Sequence, residues 1–189
     1  MQNKVDIEQL NELILKAVNG NTKAFEEIVK NYHRFGYAVA FKILFNEEDA
    51  KDVVQECFIR IWKHLKNYDR KIKFTTWMYK IVVNLCFDKL KSQKKKRNVF
   101  RDYDEDPVVN TSAGIDLEKD LTNKETASMI KHFANGLSEK QRTVFMLRDI
   151  EDLSIEEVSQ IMSISYGSVK TNLYYARRII KKKIIEWER

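Results

Sequence analysis

Between Ala50 and Leu65, eight apolar residues fall at i, i+3, i+4, i+7, i+8, i+11, i+12 and i+15: Ala50, Val53, Val54, Cys57, Phe58, Ile61, Trp62 and Leu65. Only an α-helix brings these positions onto one continuous face, and an apolar face that long must be buried against other elements. Just before it, Asn46 can cap the helix, and Glu47, Glu48 and Asp49 suit the positive end of its dipole. The same period recurs on both sides. Residues 6–18 carry Ile7, Leu10, Ile14, Leu15 and Val18 and stop at Asn19-Gly20. From Lys23 to about Phe45 the pattern runs through Phe25, Ile28, Val29, Tyr32, Phe35 and Val39. A further helix, from about Phe74 to Lys91, is expected to bury Trp77, Met78, Ile81 and Leu85. Five glycines and one proline in 189 residues leave little to interrupt helices, so the fold class expected is all-α.

The composition changes at Ser92. Lys94 to Arg97 are all basic, and residues 101–120 then hold seven acidic residues against Arg101 and Lys119, a net of −5 in a chain that is +6 overall. That stretch contains the single proline and little apolar periodicity, which reads as a flexible acidic linker. The chain therefore divides into an N-terminal helical domain at 1–97, a linker at 98–120 and a C-terminal domain at 121–189. Met129, Ile130 and Phe133 restart the helical pattern before Asn135-Gly136. Ser138 with Gln141, and Ser154 with Glu157, have the spacing of capping boxes.

The second box opens a short helix with Ile155, Val158, Ile161 and Met162, which passes through Ser163-Ile-Ser165 into another helix beginning near Tyr166. Two short helices on a tight turn, sharing Ile164 and Val169 as core, predict a helix-turn-helix whose second helix fits a DNA major groove. Val169, Leu173 and Ala176 would face inward; Ser168, Lys170, Thr171, Asn172, Tyr174, Tyr175 and Arg178 would face outward. These supply a cation, hydroxyls, an amide and aromatics for base edges and phosphates, and Arg177, Arg178 and Lys181 to Lys183 would neutralise backbone. Ser159 stands where alanine is usual in such motifs, and Ser163 where glycine often supplies the turn.

Catalytic chemistry finds no support. His33, His64 and His132 are scattered, without metal-ligand spacing, and no glycine-rich phosphate loop is present, so neither cofactor nor metal nor small-molecule substrate is expected. Cys57 and Cys86 lie in apolar helical patterns and read as small core residues of a reduced, cytoplasmic protein. Met1 to Asp6 has no apolar signal core, and no run approaches a membrane span.

Taken in order, the motifs resemble one family. Asp49-Ala-Lys-Asp-Val-Val-Gln-Glu-Cys-Phe-Ile-Arg-Ile-Trp62, then the stretch from Phe74 to Lys91, an acidic linker, and the stretch from Leu137 to Arg178 are similar to bacterial RNA polymerase sigma factors of the extracytoplasmic-function group. The likeness covers about residues 20–97 and 121–185. It implies that Asp49, Asp52, Gln55, Glu56 and Trp62 dock on the clamp helices of the largest subunit of core RNA polymerase. It implies that the segment from Lys66 to Thr75, with Lys66, Asn67, Thr75, Trp77, Lys80, Asn84 and Asp88, engages the opened non-template strand of the minus-ten element of promoter DNA. Ser168, Lys170, Thr171, Asn172, Tyr174, Tyr175 and Arg178 would then read the minus-thirty-five element. The domain carrying them would touch the flap of the second-largest subunit, and the linker would thread toward the RNA exit path. An anti-sigma factor, often held at the membrane, is a further partner that the resemblance implies. The competing reading is a stand-alone helix-turn-helix regulator with a sensing or dimerising N-terminal part, binding paired half-sites as a dimer. A helical adaptor that binds no DNA is disfavoured by the clustered basic residues.

Overall fold

The computed structural model describes residues 7–101 and 136–187. Helices α1 (Ile7–Val18), α2 (Thr22–Leu44), α3 (Glu47–His64) and α4 (Phe74–Arg101) form the N-terminal unit, with a 3-10 turn at Leu65–Asn67. Helix α5 (Glu139–Phe145), one wide turn at Met146–Ile150, α6 (Ile155–Met162) and α7 (Tyr166–Trp187) form the C-terminal unit. No strand occurs among the described residues, in keeping with the all-α expectation. The acidic stretch and the helical signals at Met129, Ile130 and Phe133 lie outside the described residues.

Local chemistry fixes most helix ends. Asn21 caps α2 by accepting from the Ala24 N–H, and Asn46 caps α3 by accepting from the Asp49 N–H at 2.9 Å. Between them, Phe45 adopts a left-handed conformation (φ 52°) that reverses the chain. Helix α4 departs from expectation by continuing ten residues past Lys91 to Arg101. The change of composition at Ser92 is a change of charge and not of helix propensity. Lysine, arginine and glutamine are good helix formers, and no Gly or Pro stands between Lys91 and Arg101.

Helix α3 packs against α2 and α4, and the stripe from Ala50 to Leu65 is the seam: all of its members but Trp62 are buried. Opposite it, Ile28, Val39 and Ile43 of α2 and Met78, Val82 and Val83 of α4 are closed to solvent. At Gly36 the Met78 side chain of α4 lies directly against the α2 backbone, since a Cβ there would lie 2.6 Å from the Met78 methyl. Cys57 and Cys86 are free and buried in this core, and burial pushes both thiols up to about 12, so they are neutral and inert. In the C-terminal unit Val144, Leu147, Val158, Ile161, Val169 and Ala176 are fully buried. The two units touch, with α6 lying on α4 and α5 reaching the end of α2.

Candidate nucleic-acid interface

Both capping boxes form as read. Ser138 and Gln141 exchange hydrogen bonds at the start of α5, and Ser154 and Glu157 do so at the start of α6. The Ser154 backbone N–H holds the Glu157 carboxyl below the ordinary carboxylate range, with a further contribution from Lys73. The turn between α6 and α7 then depends on the two serines that departed from the usual pattern. Ser163 is left-handed (φ 52°, ψ 43°), a conformation that costs a non-glycine residue roughly 1–2 kcal/mol. Ser159 offsets it, since its Oγ donates to the Ile164 carbonyl at 2.6 Å and its carbonyl accepts from Ile164 N–H. Ser163→Gly is accordingly expected to raise stability by about 1 kcal/mol, and Ser159→Ala to lower it by a similar amount; urea denaturation of the two variants checks the signs.

Ser165 caps α7, accepting from the Ser168 N–H at 3.2 Å. Val169, Leu173 and Ala176 are buried as expected, which turns Lys170, Thr171, Tyr174, Tyr175 and Arg178 outward. Tyr174 is 62% exposed, and its ring meets that of Tyr175 edge to face. Such exposed aromatics contribute little to a fold, and they suit a binding surface. Lys170 Nζ lies 4.8 Å from the centre of the Tyr166 ring, and Tyr166 Oη donates to Glu156. Three polar residues of α7 also have partners within the C-terminal unit. Asn172 is half-buried, and its amide donates to the Ser168 carbonyl at 2.8 Å, so both residues partly satisfy their own helix. Arg177, placed with the phosphate-neutralising tail, is exposed and also makes a two-pronged ion pair to Asp149 at 2.6 and 2.8 Å that braces α7 on the Met146–Ile150 turn.

On α4, Lys80, Asn84 and Asp88 are exposed at i, i+4 and i+8 and form one row. Lys66 and Asn67 are exposed on the 3-10 turn beside the start of the helix, where Thr75 is half-buried. Trp77 is also half-buried, with Tyr68 stacked on it at 4.9 Å and Phe74 edge-on to both rings. One face of the indole is therefore taken by Tyr68, whose phenol burial pushes up to about 12. A loop tyrosine joined to a helix tryptophan was not read from the sequence, because Tyr68 lay in a stretch without periodicity.

The outward side of α3 divides into two edges. Asp49 accepts from Gln93 at 2.7 Å and pairs with Lys89 at 3.0 Å, and Lys89 also reaches Asp52 at 2.9 Å. Glu56 pairs with Arg60. Gln55 and Trp62 lie on the other edge, beside a groove of about 680 Å³ bounded by Phe25, Val29, His33, Phe58 and Ile59. Trp62 rests on Phe25 with ring centres 4.8 Å apart, yet remains 39% exposed. Ile59, 41% exposed, was missed by sequence reasoning; an isoleucine off the buried stripe was the available signal.

The Sigma-70 region 2 model matches residues 28–96, and the Sigma-70 region 4 model matches residues 127–180. The extracytoplasmic-function RNA polymerase sigma factor SigW of Bacillus subtilis is 30% identical over 181 residues, covering 90% of this chain and 94% of the relative. The sigma-E factor of Escherichia coli K12 is 30% identical over 187 residues, covering 94% of this chain and 96% of the relative. Two solved structures share the fold at TM-score 0.65 and 20% identity. One is CnrH in complex with the cytosolic domain of CnrY, matched over 92% of this chain and 96% of that one. The other is the Bartonella quintana sigma factor RpoE with the anti-sigma factor NepR, matched over 85% and 96%.

Proposed function

The chain belongs to the sigma-70 family of bacterial RNA polymerase sigma factors, in its extracytoplasmic-function group, and we propose that three of its surfaces divide the family's work. It acts in transcription initiation, directing core polymerase to promoters. The family is one of sigma factors and not of enzymes, and the bond-forming chemistry belongs to the polymerase. A stand-alone regulator is not favoured, because the N-terminal unit matches region 2 over residues 28–96 and not a sensing module.

The observation that carries the division of labour is the recognition helix. One face of α7 is closed by Val169, Leu173 and Ala176, and the other presents Lys170, Thr171, Tyr174, Tyr175 and Arg178 to solvent. We assign the minus-thirty-five element to that face, with Ser168 and Asn172 holding its first turns in place. To the opened minus-ten strand we assign Lys66, Asn67 and Thr75, the row Lys80, Asn84 and Asp88, and the exposed part of Trp77, where stacking and phosphate contacts offset the cost of unpairing. Core polymerase docks on the two edges of α3: the acidic one at Asp49, Asp52 and Glu56, and the apolar one at Gln55 and Trp62. The polymerase's two largest subunits are the partners in this reading. An anti-sigma factor is proposed as well, on the precedent of the Bartonella quintana complex. No described helix is long and apolar enough to cross a membrane, and the proposed workplace is the cytoplasm, beside the polymerase.

The two edges of α3 give a direct test. Asp52→Ala removes a 67%-exposed carboxylate whose internal partner Lys89 keeps Asp49, so folding should change by less than about 0.5 kcal/mol. Trp62→Ala should cost core affinity more, about 2 kcal/mol or some 30-fold, because half-exposed tryptophans are frequent anchors of interfaces. Co-purification with core enzyme checks both. Undiminished capture of each variant would count against docking through α3.

A further inference from the structure

Glu156 of α6, Tyr166 at the start of α7 and Lys170 one turn further on form a chain of contacts on the outer side of the helix-turn-helix. Tyr166 Oη donates to Glu156 Oε1 at 2.9 Å, and Lys170 Nζ stands 4.8 Å from the centre of the same ring. An ammonium over an aromatic face is attracted by the ring's electrons, and the spacing of the two residues puts both side chains on one side of α7. The Glu156 carboxyl is kept below the ordinary carboxylate range, first by its own backbone N–H and then by the Tyr166 hydroxyl, with Lys170 adding to the effect. It is therefore ionised and draws the lysine toward the ring. The ring does little for the core: Tyr166 is 43% exposed and is not part of the buried cluster.

A lysine on an exposed helix face has a long flexible stem, which must be ordered before its ammonium can meet a chosen base edge. Ordering it already in the free protein lowers that cost at the moment of binding. The ring of Tyr166 also sets a direction, since it holds the ammonium near the first turn of α7, the end at which a recognition helix meets base edges. Lysine only donates, so the edges it suits are rich in acceptors, with guanine O6 and N7 foremost. The bond to Glu156 fixes the ring from the far side of the α6–α7 turn, across ten positions of the chain.

We propose that Tyr166 is a positioning residue for promoter reading: anchored by Glu156, it aims Lys170 at the minus-thirty-five element and makes that lysine a reader of bases and not only a contact to phosphate. The inference rests on the assignment of α7 to that element. Tyr166 itself touches no base in this scheme, and its effect passes through Lys170.

The test measures how strongly holoenzyme prefers a mapped promoter over the same fragment with its minus-thirty-five element scrambled, in a competition gel shift. The ratio is the informative quantity, since a lost phosphate contact weakens both fragments alike and a misplaced base reader does not. Tyr166→Leu should lower the preference about 2- to 5-fold, the range expected of an exposed cation–π pair. Tyr166→Phe keeps the ring beneath Lys170 and loses only the bond to Glu156, so it should lose less. In a Lys170→Ala background, Tyr166→Leu should change the preference by less than about 1.5-fold, because the group it positions is gone. Core capture by every variant should match wild type, which separates the effect from misfolding. Full preference in Tyr166→Leu, equal losses in the leucine and phenylalanine variants, or an undiminished loss once Lys170 is removed would overturn the proposal. The underlying reading fails separately: Lys170→Ala alone would then leave the preference intact. If Lys170→Ala lowers it and Tyr166→Leu does not, only the positioning role is lost.

Discussion

Replacing Lys170 and Tyr174 together with alanine is expected to weaken recognition of the minus-thirty-five element by the holoenzyme at least about 30-fold. Side chains that meet base edges contribute roughly 1–3 kcal/mol of discrimination each, and two on one helix face act on adjacent bases. The loss should come without instability. Tyr174 is 62% exposed and Lys170 touches the exposed Tyr166 ring, so the fold loses little when either is shortened. Thermal melting should therefore stay within about 0.5 kcal/mol of wild type, and core capture should be unchanged. A competition gel shift with intact and scrambled upstream elements reads the effect. Equal preference for the intact element in wild type and double variant would remove the assignment of α7 to DNA reading.

Ile61→Ala is expected to cost about 2–5 kcal/mol, a large share of the roughly 5–15 kcal/mol that holds a folded domain. Ile61 is fully closed to solvent at the seam where α3 meets α2 and α4. For a chain of this length each kcal/mol lowers the Tm by about 2–4 °C, so a fall of about 4–20 °C is expected. Ile61→Val, which removes a single methylene, should cost only about 0.5–1.5 kcal/mol. The functional consequence is specific: α3 carries the proposed core-docking edges, so loosening its seam should reduce core capture near the Tm before it alters promoter preference. A cost below about 1 kcal/mol for the alanine variant would contradict the packing described.

What could be read from the sequence was what depends on near neighbours. Asn46 three residues before Asp49, Ser138 before Gln141, Ser154 before Glu157, and the stripe from Ala50 to Leu65 are local patterns, and each became the structure expected of it. The length of α4 was misjudged for an instructive reason: a shift from apolar to basic residues ends a buried face without ending a helix. Partners far apart in the chain were not legible. Asp49 is held by Lys89 and Gln93, and Arg177 by Asp149, partners that lie 40, 44 and 28 positions away. Lys42 meets Glu151 across 109 positions. Such pairings are set by how the helices cross, which periodicity does not encode. The site residues on α7 stood out because a buried Val169, Leu173 and Ala176 leave only one way for the others to face. Those on the Lys66–Lys73 loop depended on the family resemblance, since no period governs that stretch.

The central claim is that this chain tells RNA polymerase where to begin. Purified core enzyme should be given genomic DNA from the source organism, with and without the protein, and the 5′ ends of the transcripts mapped. Discrete start sites are expected only when the protein is present, each preceded by a shared pair of upstream and downstream elements. The same distribution of starts in its presence and absence would contradict the account.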